Sequence, residues 1–150
     1  MRGLIQRVTQ AAVSVDGAVV GQIDSGVLLL LGIERGDTLA ETTKLLDKVL
    51  NYRIFPDAGG RMNVNVREAA GGLLVVSQFT LVADTNKGLR PSFTPAATPE
   101  QAQLLYHAFV AALKSRHSPV ATGVFGAHMR VSLTNDGPVT FLIDVVPKSG

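Results

Sequence analysis

A run of apolar residues, Val27–Ile33, most constrains what this chain can fold into. It lacks the alternation of apolar and polar residues that is typical of a strand with one face in water. The run therefore predicts a strand that other parts of the protein cover on both faces. A second run of this kind, Leu73–Phe79, predicts another buried strand. The fold must supply covering layers on two sides of these strands.

Shorter patterns predict the remaining strands. Three are expected near the amino end, with a hairpin turn at Asp16-Gly17: Leu4–Val8, Ala11–Val15 and Val19–Ile23. Alternating apolar residues predict three more, over residues 62–66, 129–133 and 139–145, with turns at Asp57–Gly60 and Asn135–Pro138. Residues 82–97 show no periodicity, and a loop of this length in a small domain is usually functional.

In two segments, apolar residues recur with the spacing that is typical of one face of an α-helix. Thr38 and Glu41 form a capping box, and the helix that follows should end before Pro56. Thr98 and Pro99 begin the second helix. Two helices cannot cover both faces of so many strands. We therefore predict an α/β protein, a single domain of mixed, mostly antiparallel β-sheets packed together with the two main helices on one side.

Length and composition limit the possible classes of protein. The 150 residues fit one domain, expected over residues 1–146 with a loose tail at 147–150. The chain has no cysteine, which excludes thiolate metal sites, and its three histidines form no metal-binding pair, so neither a metal nor a cofactor is expected. No apolar run reaches the ~20 residues of a membrane span, so a cytoplasmic protein without membrane contact is expected. The net charge of +2 permits nucleic-acid binding without implying it, and an aromatic content of 5% predicts no extended base-stacking platform.

Common catalytic motifs are absent. The chain has no GxSxG elbow and no phosphate-binding GxxxxGK[ST] or GxGxxG loop. Two segments stand out instead. Ser77–Leu81 places polar groups at the end of a buried strand, where they form a site unless the strand simply surfaces. Asn135–Thr140 is either an ordinary hairpin turn or, with a cis Gly-Pro bond, a pair of aligned carbonyls that can accept hydrogen bonds from an ammonium group.

These two segments resemble the signature motifs of the D-aminoacyl-tRNA deacylases. The similarity extends along nearly the whole chain. It includes Ile5–Val8, Tyr52–Phe55, Met62-Asn63 and Arg90–Phe93. The separation of the two main motifs also fits the family.

The resemblance implies a homodimeric hydrolase with its site at the dimer interface. Its substrates would be D-aminoacyl-tRNA and glycine mischarged on tRNA, each bound by the aminoacylated 3′ end. The implied catalytic residues are Ser77, Gln78, Phe79 and Thr80. The implied determinants of chirality are Gly137 and Pro138, which would form a cis bond that meets the partner's catalytic strand end. Arg7 would support this motif, and Phe125 and Met129 would line the adenosine pocket.

The mechanism has two open versions. In one, backbone N–H groups near Phe79 and Thr80 form an oxyanion hole, and the resemblance implies that water attacks with help from the ribose 2′-hydroxyl. In the other, the Thr80 hydroxyl is the nucleophile. Arg53, Lys87 and Arg90 are candidates for contacts with the tRNA body. The alternative function is a non-catalytic nucleic-acid-binding or replication accessory protein.

Overall fold

The computed structural model describes residues 1–147. It contains two α-helices, α1 (Leu39–Asn51) and α2 (Pro99–Arg116). It contains eight strands, β1 (Arg2–Val15), β2 (Ala18–Ile23), β3 (Gly26–Gly32), β4 (Phe55–Pro56), β5 (Met62–Val64), β6 (Gly72–Ser77), β7 (Val120–Thr122) and β8 (Arg130–Asp144). No helix in this part of the chain is long and apolar enough to cross a membrane. The tail expected at 147–150 lies, apart from its first residue, outside the described residues.

One six-stranded sheet dominates the fold. Its order is β2-β1-β3-β6-β7, and β8 also pairs with β1. Only the β3–β6 and β6–β7 pairs are parallel, and β4 and β5 form a separate antiparallel pair. Both helices lie over the same core cluster. The predicted fold class, an α/β domain with mostly antiparallel strands and two helices on one side, is confirmed.

Successive side chains of the two apolar runs pack alternately into two separate hydrophobic cores. Leu29 and Leu73 pack with residues of α1 and α2, including Phe109. Leu28 and Leu74 face the opposite way and pack with β1 and β2. All four leucines are fully buried. The prediction that β3 and β6 are covered on both faces is therefore confirmed, because the helices cover one face and the amino-terminal strands curl over the other.

The curl of the sheet depends on Gly21 in β2. A Cβ atom at this position would lie 2.3 Å from the Thr122 carbonyl oxygen of β7, which no side chain can tolerate. The missing side chain lets β2 approach β7, although the two strands are not neighbours in the sheet order. This close approach closes the second core.

The helix starts follow the predicted capping. The Thr38 side chain accepts a hydrogen bond from the Ala40 N–H, and the Glu41 carboxylate accepts one from the Thr38 N–H at 2.7 Å. At α2, the Thr98 hydroxyl accepts from the Gln101 N–H at 3.3 Å. These bonds satisfy backbone donors that have no partner within the helix. Both predicted starts are confirmed.

Several strand predictions were wrong in their bounds. Leu4–Val8 and Ala11–Val15 are parts of the single strand β1, which pairs with β3 over its first half and with β2 over its second. The short strand β7 was not predicted. The run that begins at Leu73 leaves the sheet after Ser77 and continues as a 3-10 helical turn, Phe79–Val82. The ends of these strands depend on pairing with strands that are distant in sequence, so local sequence patterns do not predict them.

The predicted hairpin turn at Asn135–Pro138 was also wrong. β8 runs along β1 in one direction on both sides of this segment, so the chain does not reverse. The register passes from Val8 opposite Asn135 to Gln6 opposite Thr140, which leaves residues 136–139 as a bulge beside Arg7. Hydrogen bonds to β1 hold the flanking residues in the ladder, so the extra residues are displaced from it.

Candidate functional site

The carboxyl end of β6 opens into a cavity of about 460 Å³. Its lining comes from the end of β6, the end of the loop before α2, and the segment between β7 and β8. The lining residues are Leu31, Ile33, Val76, Ser77, Gln78, Phe79, Ala96, Ala97, Pro99, Ala102, Phe125, Gly126, Ala127, Met129 and Val131. None of these carries a titratable side chain. The cavity therefore offers an apolar wall and a few polar groups, without a protein acid or base.

The cavity brings together five of the residues that the sequence predicted for the site. Ser77, Gln78 and Phe79 form one wall, and Phe125 and Met129 form another. Ala96, Ala97 and Pro99 also line the cavity and were not predicted as site residues. Their signal in the sequence was the loop at 82–97, which leads directly into the start of α2.

The peptide groups at the end of β6 are available as donors. The Gln78 N–H donates to the Leu31 carbonyl at 2.8 Å, which keeps this residue in the sheet. The next residues turn away, and Leu81 N–H donates back to the Gln78 carbonyl at 3.1 Å. Within residues 1–147, neither the Phe79 N–H nor the Thr80 N–H donates a hydrogen bond. Phe79 lines the cavity and Thr80 is the next residue, and two adjacent unpaired N–H groups in such a position can stabilise a negatively charged oxygen.

The Thr80 side chain is separate from the cavity. Thr80 does not line it, and its hydroxyl oxygen accepts a hydrogen bond from the Gln78 amide. No histidine or carboxylate among residues 1–147 bonds to this hydroxyl. A threonine nucleophile needs a base to take its proton. The surroundings of Thr80 therefore favour a role for its peptide group.

Tyr106 of α2 supports both walls from behind. Its hydroxyl donates to the Val75 carbonyl of β6 at 3.1 Å, and its ring lies 5.7 Å from the Phe125 ring. Burial raises the pKa of Tyr106 to about 12, so the hydroxyl remains a neutral donor at physiological pH. Sequence reasoning missed this residue, because a tyrosine on a helix has no pattern that distinguishes support of a site from ordinary core packing.

Arg7 and Asn135 hold the bulge of β8 in place. The Arg7 Nε donates to the Asp136 carbonyl at 3.0 Å, and Nη1 donates to the Ile54 carbonyl at 2.7 Å. The Asn135 side chain accepts from the Val139 N–H at 2.7 Å. Between these anchors, the Gly137-Pro138 peptide is cis, and Gly137 has φ +142°. The structure thus places Arg7 beside Gly137.

Gly137-Pro138 and Ser77 are far apart within one chain. The path from β6 to β8 crosses three strand spacings of about 4.8 Å each. Along the strands, the bulge lies about four residues from the level of Ser77, at about 3.3 Å per residue. The two segments are therefore on the order of 20 Å apart. An aminoacyl group spans only a few bonds. A single protomer therefore cannot present both segments to the same aminoacyl group.

Known proteins are similar to this chain over nearly its whole length. Residues 4–144 match the family model described as D-Tyr-tRNA(Tyr) deacylase. A protein named D-aminoacyl-tRNA deacylase from Cellvibrio japonicus (strain Ueda107) is 63% identical over 145 residues, which cover 97% of this chain and 99% of the relative. A protein of the same name from Ralstonia nicotianae (strain ATCC BAA-1114 / GMI1000) is 62% identical over 154 residues, covering 99% of this chain and 93% of the relative.

Two solved structures are also similar. One is titled "c-Myc DNA Unwinding Element Binding Protein" and has a TM-score of 0.93 and 38% identity, with 98% of this chain and 100% of the other covered. The other is titled as a probable eukaryotic D-amino acid tRNA deacylase and has a TM-score of 0.82, with 96% and 98% covered. At 18% identity, the latter shows the fold alone. The match over residues 4–144 and the identity to the curated relatives decide the family: this chain belongs to the D-Tyr-tRNA(Tyr) deacylase family.

Proposed function

We propose that this deacylase removes D-amino acids, and glycine, from tRNA at a site that two copies of the chain build together. Its family and its curated relatives make it a hydrolase of the aminoacyl ester. The observation that carries the proposal is the cavity at the end of β6, which joins unpaired N–H groups to a lining without an acid or base. Because its substrate is aminoacylated tRNA, we place the protein in the cytoplasm.

The Phe79 and Thr80 N–H groups stabilise the oxygen of the attacked carbonyl. Water adds to the ester carbon, the carbonyl oxygen gains negative charge, and the bond to the ribose oxygen then breaks. The products are the free amino acid and tRNA, whose ribose oxygen takes up a proton. Peptide N–H groups fixed before the reaction are efficient here, because they do not need to reorient as the charge develops.

The proton acceptor for the attacking water comes from the substrate. No residue that lines the cavity is titratable, so the protein offers no general base there. The 2′-hydroxyl of the terminal ribose is adjacent to the ester and can orient the water and pass on its proton. Phe125 and Met129 line the same cavity and hold the adenosine that carries this hydroxyl.

Gly137 and Pro138 of the partner subunit select the configuration of the amino acid. The separation on the order of 20 Å within one chain supports this arrangement, because it keeps the segment away from the cavity of its own chain. The carbonyls of the segment accept hydrogen bonds from the substrate ammonium group. The side chain of an L-amino acid then points into backbone, whereas that of a D-amino acid points to solvent. Glycine has no side chain, so this segment does not exclude it.

This selection acts by exclusion. A pocket that fitted each D side chain would need a different shape for every amino acid. A backbone wall that rejects L side chains serves all of them. The arrangement therefore accounts for a broad range of D-amino acids and for glycine together.

A direct test compares mirror-image substrates. The purified protein is given one tRNA species charged with D-tyrosine, L-tyrosine or glycine, without added metal or nucleotide, and the release of the labelled amino acid is measured. D-tyrosine and glycine should be released, and L-tyrosyl-tRNA should persist at its uncatalysed rate. Equal release of the D and L forms would contradict the proposed selection.

Replacing Thr80 with alanine should leave substantial activity. The substitution removes the hydroxyl but keeps the peptide N–H, so kcat should remain within about tenfold of the unsubstituted enzyme. Thr80→Ser, which keeps a hydroxyl, is the matched control and should behave like the alanine variant. A loss near 10⁴-fold in Thr80→Ala with the fold intact, restored by serine, would instead identify a threonine nucleophile.

The second candidate is a nucleic-acid-binding protein without catalysis, such as a replication accessory factor. It is favoured by the likeness to the structure titled as a DNA unwinding element binding protein. Tight binding of duplex DNA, without hydrolysis of any D-aminoacyl ester, would support this candidate. Hydrolysis of a D-aminoacyl ester by a homogeneous preparation would instead support the proposed deacylase activity.

A further inference from the structure

Two exposed phenylalanines, Phe79 and Phe93, form a pair beside the cavity. Their ring centroids are 5.0 Å apart and their planes are inclined by 56°. The side chains remain 59% and 41% exposed. Exposed apolar groups that lie together, unlike scattered ones, mark surfaces that bind something. The pair is therefore a candidate binding surface.

The pair is continuous with the proposed adenosine pocket. Phe79 is itself part of the cavity lining, whereas Phe93 is not, so the two rings extend from the cavity edge outwards. The position of Phe93 is fixed by two hydrogen bonds between the preceding residue, Ser92, and Asp84, of 2.8 and 3.0 Å. Whatever leaves the cavity at this edge passes the pair.

Positive charge lies on the same loop. The residues between Asp84 and Ser92 include Lys87 and Arg90, both exposed. Within residues 1–147, neither forms an ion pair with a carboxylate. The one acid of the loop, Asp84, accepts a hydrogen bond from the Asn86 N–H at 2.9 Å. Aromatic rings beside unpaired cations are the combination that binds single-stranded nucleic acid, since bases stack on the rings and phosphates attract the cations.

We propose that the Phe79–Phe93 pair binds the base of the penultimate nucleotide of tRNA, with Lys87 and Arg90 near its phosphate. This inference rests on the proposed function, because it assumes that the terminal adenosine occupies the cavity. The next nucleotide of the strand then leaves at the edge where Phe79 lies. The penultimate nucleotide of every mature tRNA is cytidine, so one pair of rings that stacks on this base serves every tRNA.

The test compares short substrates. D-Tyrosine is esterified to adenosine alone, or to the adenosine of the dinucleotide cytidylyl-adenosine, and kcat/KM is measured for both. The second nucleotide should raise kcat/KM by about tenfold, which corresponds to one stacked base. Phe93→Ala should remove this gain and leave hydrolysis of the adenosine ester unchanged. Leu89→Ala is the matched control, because Leu89 is a fully exposed apolar residue of the same loop, and it should retain the gain.

Binding without hydrolysis separates this inference from the proposed function. Calorimetric titration with adenosine monophosphate and with unesterified cytidylyl-adenosine measures the affinity for each ligand. Phe93→Ala should weaken the binding of the dinucleotide and leave that of the monophosphate unchanged. If no ester is hydrolysed but this difference persists, the proposed function fails and the subsite stands. Equal affinity of the unsubstituted protein for both ligands would overturn the subsite. So would a shift of Phe93→Ala to a smaller sedimenting species, because the pair would then be a contact between subunits.

Discussion

Gly137→Ala is expected to lower kcat/KM for D-aminoacyl-tRNA by about 100-fold, the scale of loss when a substrate contact is misplaced by about 1 Å. Gly137 has φ +142°, a backbone conformation that residues with a side chain rarely adopt. An added Cβ atom would lie 2.6 Å from the Val139 Cγ2 and 3.0 Å from the Val139 nitrogen. The bulge must therefore shift, and its carbonyls would no longer lie where the proposed contact with the substrate ammonium group requires them.

The control for this substitution is Gly60→Ala. Gly60 also has a positive φ, +83°, but an added Cβ atom would meet nothing within 4 Å. It lies in the turn between β4 and β5, outside the cavity lining. Gly60→Ala should carry similar backbone strain and keep its activity, with circular dichroism and thermal melting used to confirm folding of both variants. Unchanged D-ester hydrolysis in a folded Gly137→Ala protein would contradict the proposed position of this segment.

A substrate ending in 2′-deoxyadenosine is expected to react 10²- to 10⁴-fold more slowly, about the contribution of a general base. The cavity lining contains hydroxyl and amide groups at Ser77 and Gln78 and no titratable side chain. If the ribose 2′-hydroxyl positions the water and relays its proton, the enzyme has no group to replace it. The measurement is single-turnover release of D-tyrosine from the 3′-linked ester, corrected for the uncatalysed rate of each substrate.

Binding of the deoxy substrate provides the control. The deoxy ester should still inhibit hydrolysis of the normal substrate at a similar concentration, because the proposed adenine contacts at Phe125 and Met129 do not involve the 2′-hydroxyl. Slow reaction with intact binding places the missing group in the chemical step. Normal turnover would instead show that a protein group, from this subunit or its partner, activates the water.

Local patterns predicted the central layers of this protein well. The run Val27–Ile33 had no polar alternation, and the structure packs its leucines alternately into the two cores. The capping residues Thr38 and Thr98 marked both helix starts. Such features depend on neighbours a few residues away, so the sequence records them directly.

Long-range pairing was not predictable in the same way. Asn135–Pro138 has the composition of a hairpin turn, yet the ladder to β1 continues on both sides and makes it a bulge. Likewise, a 5% aromatic content gave no reason to expect that Phe79 and Phe93, 14 positions apart, would lie side by side at the cavity. In both cases, backbone hydrogen bonds between distant segments decide the outcome.

The sequence by itself determined the family of this chain, the two buried strands and the residue types at Ser77–Thr80 and Gly137-Pro138. Only the tertiary structure decided that the first segment borders a cavity without an acid or base, and that the second lies on the order of 20 Å from it in the same chain. The physical reason is that sheet order and register fix distances between segments, and these are set by hydrogen bonds formed across the whole fold.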